Sequence, residues 1–185
     1  MTSMPITLTT PRLRLRAPVM ADATRIATFI GVWDVAKMLA RVPYPYTEQD
    51  AKRWIADPGP GHHYVLVHAN GIIGVVGVDV RDATGALELG YWLAQPFWGR
   101  GFMSEAAGAV IKSLRACDPN VAVTCGHFDD NPASAAIIRK LGFVPTGERQ
   151  ADSASRGKSV RLLTYRMPNA ADHAGTEFET ARGVT

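Results

Sequence analysis

A chain of 185 residues, 46% hydrophobic and 8% aromatic, suits one globular domain that buries a core without metal or disulfide support. Its net charge of +3 comes from 20 basic and 17 acidic residues with no basic run of five or six, which argues against nucleic acid as a partner. No apolar run approaches the roughly 20 residues that cross a bilayer, and Met1-Thr2-Ser3-Met4-Pro5 has neither the basic nor the apolar part of a signal peptide. Cys117 and Cys125 match no metal spacing or secreted disulfide framework. The expectations are therefore a cytoplasmic protein with no membrane partner and no metal.

In chain order, Leu13-Arg14-Leu15-Arg16 alternates as a first strand. Asp22 is expected to cap a helix whose apolar positions Ile26, Phe29, Ile30 and Trp33 recur at three- and four-residue steps and continue through Val35, Met38 and Leu39. Pro43 and Pro45 break it. Thr47 with Asp50 opens a short helix through Trp54 and Ile55, which Pro58-Gly59-Pro60-Gly61 ends. Two β-rich runs, 64 to 68 and 72 to 80, flank Ala69-Asn70-Gly71, a strong hairpin signal. The turn Asp82-Ala83-Thr84-Gly85 leads to a strand at 86 to 93. A helix from about 102 to 116, a strand at 121 to 128, a helix from Asn131 to Lys140 and strands at 143 to 149 and 160 to 167 complete the order.

The most informative stretch is Trp98-Gly99-Arg100-Gly101-Phe102-Met103-Ser104-Glu105-Ala106, which runs from an apolar strand (Leu87, Leu89, Tyr91, Leu93) into an Ala-rich helix. Its glycines permit a tight turn, and the first unpaired N–H groups of the helix then face a ligand at the positive end of the dipole. A phosphate or pyrophosphate is the natural guest; the bland reading is a plain strand-to-helix turn. A second segment, Asn131-Pro132-Ala133-Ser134, opens the helix that stops at Lys140-Leu141-Gly142-Phe143.

Together these segments resemble the cofactor loop and the following helix of the GNAT superfamily, the acetyl-CoA-dependent N-acetyltransferases. In the superfamily's Gln/Arg-x-x-Gly-x-Gly/Ala loop, Gly101 matches the central glycine. The Trp-Gly-Arg/Lys-Gly-aromatic-x-Ser/Thr-Glu-Ala form is that of the branch that acetylates ribosomal-protein N-termini, and Met103 at the sixth slot still presents its amide. The Pro43-Tyr44-Pro45-Tyr46 segment, the Gly90-Tyr91-Trp92-Leu93 strand and the Asn131 helix fall in this branch's order, so the resemblance covers roughly residues 10 to 168. It implies an α+β fold: a mixed, mostly antiparallel sheet of about seven strands, helices on both faces, and fourth and fifth strands splayed to admit the pantetheine arm. Residues 1 to 168 are read as one domain and 169 to 185 as a disordered tail. That tail holds Asp172, Glu177 and Glu179 against Arg182, so the body before it carries +5, which suits a polyanionic cofactor.

The resemblance assigns cofactor contacts to Tyr91 and Leu93 of the fourth strand, expected to be bulged so that its amides meet the thioester carbonyl. It assigns further contacts to Trp98, Gly99, Arg100, Gly101, Phe102, Met103 and Ser104 of the loop, to Asn131, which also serves as a helix cap, and to Lys140. Many superfamily members carry a Tyr acid seven residues after the motif Asn, where this chain has Ile138; the ribosomal-type branch has Ser three residues after it, here Ser134. Ser134 is thus the candidate proton donor to the leaving thiolate, or else a first-turn serine that satisfies backbone N–H groups. Glu88 is the candidate base for the acceptor ammonium, or a solvent-facing charge. Glu105 ranks second, since a first-turn Glu more often serves the helix dipole. Trp33, Tyr44 and Tyr46 are either acceptor walls or helix core, and Arg156-Gly157-Lys158 is the opposite wall.

The activity implied is transfer of acetyl from acetyl-CoA to a primary amine by direct attack. A peptide or protein N-terminus and a small metabolite or drug amine are both open as acceptors. A catalytically idle acyl-CoA-binding module is the alternative of another class. Monomer and homodimer are both open.

Overall fold

The computed structural model describes residues 4–69, 71–80 and 85–169. The tip of the predicted Asn70 hairpin, most of the Asp82 turn and nearly all of the predicted tail lie outside them. The described strands form one eight-stranded sheet in the order β1-β2-β3-β4-β5-β6-β8-β7. They are β1 (Thr7–Thr9), β2 (Arg14–Arg16), β3 (Gly61–His68), β4 (Gly71–Val80), β5 (Leu87–Leu93), β6 (Val123–Phe128), β7 (Val144–Ser153) and β8 (Lys158–Arg166). The strand not anticipated is β1, three residues paired with β2 at the sheet edge, too short to carry an alternating signal. The expected fourth and fifth strands are therefore β5 and β6.

The helices α1 (Ala23–Ile30), α2 (Trp33–Ala36), α3 (Glu48–Ala56), α4 (Phe102–Cys117) and α5 (Pro132–Lys140) cover both faces. On one face α4 presents Phe102, Met103, Ala106, Ala107, Val110, Ile111 and Leu114, a stripe at helical spacing, to Leu66, Ile73, Val76, Val78 and Leu89 of the sheet, with Ile138 of α5 beside them. On the other, Ile26 and Ile30 of α1, Val35 of α2 and Ala51 of α3 bury Val65, Val75 and Trp92. Of these, Leu66, Ile73, Val76, Val78, Val65, Val110 and Ile138 are completely buried. At about 25 cal/mol per Å², these two layers hold most of the fold.

Two expectations are corrected here. The helix read as continuous from 22 to 39 is interrupted, because Val32 is extended (φ −69°, ψ 126°) between α1 and α2. Gly31 ends α1 where an added Cβ would lie 2.7 Å from the Ala27 carbonyl and 3.3 Å from that of Tyr46, so glycine lets the Tyr46 segment pass close by. Asp22 does not cap α1 with its side chain. Its carboxylate accepts Val19 N–H at 2.8 Å and the fork of Arg16 at 2.7 and 2.9 Å. Burial alone would raise this carboxyl; Arg16 and the Val19 amide hold it below the ordinary range. Thr47 and Asp50 do form the reciprocal cap of α3.

The sheet consists of two blocks, β1 to β5 and β6-β8-β7. They are joined by only three parallel pairs, Leu87↔Val123, Glu88↔Thr124 and Leu89↔Cys125. Beyond Leu89 the strands part. That gap positions the site.

Candidate active site

The gap exposes backbone. Leu87 N–H donates to Ala122 O on the β6 side, whereas Ala94 N–H donates to Ile73 O on the β4 side. Amides alternate along a strand, so the N–H groups of Tyr91 and Leu93 turn towards β6 where β6 has already left. Pairing of β5 with β4 runs without a shift from Gly74↔Leu93 to Val80↔Leu87. The fourth strand is thus not bulged as expected; divergence of β6 frees the same amides. The register shift lies one strand earlier, between β3 and β4 at Leu66/Val67. The Leu93 carbonyl is occupied by the indole N–H of Trp98 at 2.6 Å, which ties the loop to the strand.

The loop follows at once. Gly99 (φ +73°) and Gly101 (φ +76°) are left-handed, a conformation that costs other L-residues energy. The first intrahelical bond runs from Glu105 N–H to Gly101 O at 3.1 Å. The amides of Phe102, Met103 and Ser104 are left without helical acceptors, at the positive end of a 16-residue helix. The side chains of Phe102 and Met103 are buried in the core, so these residues offer backbone alone. An added Cβ on Gly99 would meet nothing within 4 Å, so the space beside this turn is open. Arg100 is exposed, its guanidinium 5.9 Å from the Phe97 ring; Lys140 is exposed at the far end of α5 from Asn131.

Glu105 is fully engaged. It accepts Thr10 Oγ1–H at 2.6 Å, Arg12 N–H at 3.0 Å and Arg12 Nε–H at 2.6 Å. Burial works against its charge, but Thr10 and Arg12 hold its carboxyl below the usual range. This geometry makes it a tie for the N-terminal segment, not a base.

Asn131 caps α5, its Oδ1 accepting Ser134 N–H at 3.0 Å. The Ser134 hydroxyl lies 2.8 Å from the hydroxyl of Tyr91, and either can donate. Ser134 is 8% exposed. Burial above all pushes the Tyr91 phenol far above its ordinary value, outweighing the bond to Ser134, so it stays protonated. This pair was not anticipated from sequence: Tyr91 was assigned its backbone only. Ile138, where a Tyr is common, is entirely buried in the core, and a phenol arrives instead from β5. Nearby, burial and the charge of Glu88 push the Cys125 thiol up to about 12. His127 Nδ1 donates to Phe128 O at 2.7 Å, and its Nε2 lies 3.1 Å from the Tyr165 hydroxyl.

Glu88 occupies the opposite face of β5 from Tyr91, sharing it with Gly90 and Trp92. It is half-buried, with Asp79 and Thr124 as its cross-strand partners. An added Cβ on Gly90 would meet nothing within 4 Å, so the floor beside Glu88 is open. Over this face runs an arch. Ala154 N–H donates to Ala40 O at 2.8 Å, Ser155 Oγ–H to Ala36 O at 3.1 Å and Arg156 Nε–H to Lys37 O at 2.7 Å. Arg156 also forks onto Asp130 at 2.7 and 3.0 Å and lies 5.0 Å over the Phe128 ring. Arg41 pairs with Asp79, which His63 Nε2 meets at 2.7 Å.

Trp33 and Tyr44 meet edge to face at 5.0 Å, 42% and 48% exposed. Tyr46 turns instead into the α1–α3 cluster; burial, then the charge of Asp50, push it to about 12. Two cavities lie along the arch. One of about 540 Å³ is lined by residues including Arg41, Asp152 and Lys158, and one of about 380 Å³ by Trp33, Lys37, Arg156 and Lys158. Neither reaches Ser134. No group of His, Cys, Asp and Glu among the described residues is placed to hold a metal, and no described helix is long and apolar enough to cross a membrane.

Residues 12–144 match the family model for the acetyltransferase (GNAT) domain. The chain is 30% identical over 170 residues to the uncharacterized N-acetyltransferase p20 of Bacillus licheniformis, covering 87% of this chain and 95% of that protein. The ribosomal-protein-S5-alanine acetyltransferase of Vibrio fischeri superposes with a TM-score of 0.75 at 20% identity, over 90% of this chain and 98% of that one. RimL, a ribosomal L7/L12 α-N-protein acetyltransferase solved with coenzyme A, gives 0.74 at 20% identity, over 91% and 99%. The microcin C7 self-immunity acetyltransferase MccE, solved with acetyl-CoA and AMP, gives 0.74 at 20% identity, over 85% and 92%.

The chain therefore belongs to the GNAT acetyltransferase family. It is an acyltransferase of the N-acetyltransferase type.

Proposed function

We propose that the protein transfers acetyl from acetyl-CoA to the α-amine of a peptide or protein N-terminus. The observation that carries this reading is the placement of Glu88 and Ser134 on opposite sides of β5, beside the gap where β6 departs. A proton acceptor and a proton donor thus flank one opening from two faces.

Acetyl-CoA supplies the acyl group as an activated thioester. The loop amides of Phe102, Met103 and Ser104, with Gly99 and Gly101 leaving room, hold its diphosphate, and Asn131 meets the pantetheine amides. The amides of Tyr91 and Leu93 donate to the acyl oxygen as its negative charge develops. As the C–S bond breaks, Ser134 Oγ–H, oriented by a hydrogen bond from the Tyr91 hydroxyl, protonates the departing sulfur, and the proton that the attacking nitrogen sheds on becoming an amide restores the serine. Glu88 takes the proton of the acceptor ammonium through water. Holding both partners in one cleft removes much of their translational and rotational freedom. Trp33 and Tyr44 offer rigid aromatic walls whose exposed edges suit a peptide more than a compact amine, and the ribosomal-protein acetyltransferases of similar fold support that class.

The test is a comparison of kcat/KM for short peptides beginning with Ala or Ser against simple diamines, read by thiol release. Preference for the peptides is expected. A preference for diamines above about tenfold, or roughly 1.4 kcal/mol of transition-state binding, would refute the N-terminal acceptor.

A further inference from the structure

We infer that Arg12, on the segment between β1 and β2, is a cofactor-affinity residue that acts by cancelling Glu105 beside the diphosphate loop. This rests on the acetyl-CoA reading above.

A carboxylate in the first turn of α4 satisfies the helix dipole, but it also places a negative charge next to the amides that must attract a diphosphate. The structure answers that conflict with one side chain. Arg12 spends Nε–H on Glu105 Oε2 at 2.6 Å and Nη1–H on the Arg100 carbonyl at 2.9 Å, so it binds both the carboxylate and the middle of the loop. Its guanidinium carbon lies 4.5 Å from the centre of the Phe102 ring, which fixes its plane. Its remaining nitrogen, Nη2, is 3.5 Å from where a Cβ on Gly101 would stand, on the edge of the cradle. The side chain is 45% exposed against 16% for Glu105, so the positive partner is the one that faces solvent and an incoming anion. The pair presents Arg12 outward and Glu105 inward. Loss of Arg12 reverses that field at the loop.

The experiment measures the Kd of coenzyme A by calorimetry for the unmodified protein, Arg12→Met, and Arg12→Met combined with Glu105→Gln. It is paired with kcat/KM for acetyl-CoA and for phosphate-free acetyl-pantetheine. Arg12→Met is expected to weaken coenzyme A at least tenfold, with a shallower fall in affinity as ionic strength rises, and to leave kcat/KM for acetyl-pantetheine within about threefold. Adding Glu105→Gln is expected to recover most of the lost affinity. Equal losses for the two thioesters, or no recovery in the double variant, would overturn the inference, since either makes Arg12 a fold contact alone. An unmodified protein that does not bind coenzyme A would instead overturn the cofactor reading beneath it.

Discussion

The two faces of the sheet are built on different principles. On the α4/α5 face the groups proposed to hold the cofactor are mainly backbone: amides of β5, amides of the first turn of α4, and two left-handed glycines. The α1–α3 face is held by side chains that reach across long stretches of sequence, as when Ser155 and Arg156 donate to the carbonyls of Ala36 and Lys37, each 119 residues away. A backbone N–H does not depend on the side chain it carries, except where a left-handed turn calls for glycine. A side-chain site can be retuned for another acceptor by changing one ion pair.

The largest effect expected is on the backbone side. Gly101→Asp puts a side chain at φ +76° and a negative charge into the loop, so the thermal stabilisation by acetyl-CoA, which follows from mass action on the folded state, should vanish in a melting assay. Retained stabilisation would break the contrast at its root.

Next comes the hydroxyl pair. Ser134→Ala and Tyr91→Phe should each lower kcat by roughly 10²-fold, the scale of general acid catalysis, with little change in acetyl-CoA affinity. Because they act as a unit, the double variant should be scarcely slower than either single one. Additive losses, or a Ser134→Ala loss below about threefold, would leave Ser134 a structural serine.

On the other face, Gly90→Leu fills open space beside Glu88 without backbone strain. It should cut kcat/KM for the acceptor about tenfold, on the order of 1.4 kcal/mol, while coenzyme A binding by calorimetry stays the same. A matched loss of cofactor affinity would show that the faces are not separable.

The smallest effect is acid sensitivity. On the arch face, burial raises the Asp79 carboxyl but His63 and Arg41 hold it below the ordinary range, and the fork of Arg156 holds Asp130 below it against a smaller effect of burial. A depressed folded pKa gives stability that is present above the unfolded value, about 4, and lost as pH falls through the folded one. Hydrogen exchange between about pH 5 and 3 should therefore rise in residues 33–41 and 152–158 before it rises in residues 106–117 of α4, beyond the turn that Glu105 ties. The reverse order would contradict the assignment of these ion pairs to the arch.

The same contrast explains what could be read from sequence. The loop was legible because glycines, the helix start and the strand before it are neighbours in the chain. The splay was expected from resemblance, and its cause, three shared pairs and no more, is a matter of sheet order. The Tyr91–Ser134 bond is not legible in the sequence because it joins residues 43 positions apart; the absence of a phenol at Ile138 points only to Ser134. The Arg12–Glu105 tie was missed for the same reason. Trp33 and Tyr44 were read together with Tyr46, yet Tyr46 packs inward, since aromatic spacing does not say which ring finds the core.

The most direct test of the account uses one peptide that begins with Ser and carries a single internal Lys, incubated with acetyl-CoA and sequenced by fragment mass spectrometry. The account predicts one acetyl group, on the α-amine and absent from the Lys side chain. Acetylation confined to the lysine, or an unmodified peptide under conditions where small amines are acetylated, would contradict it.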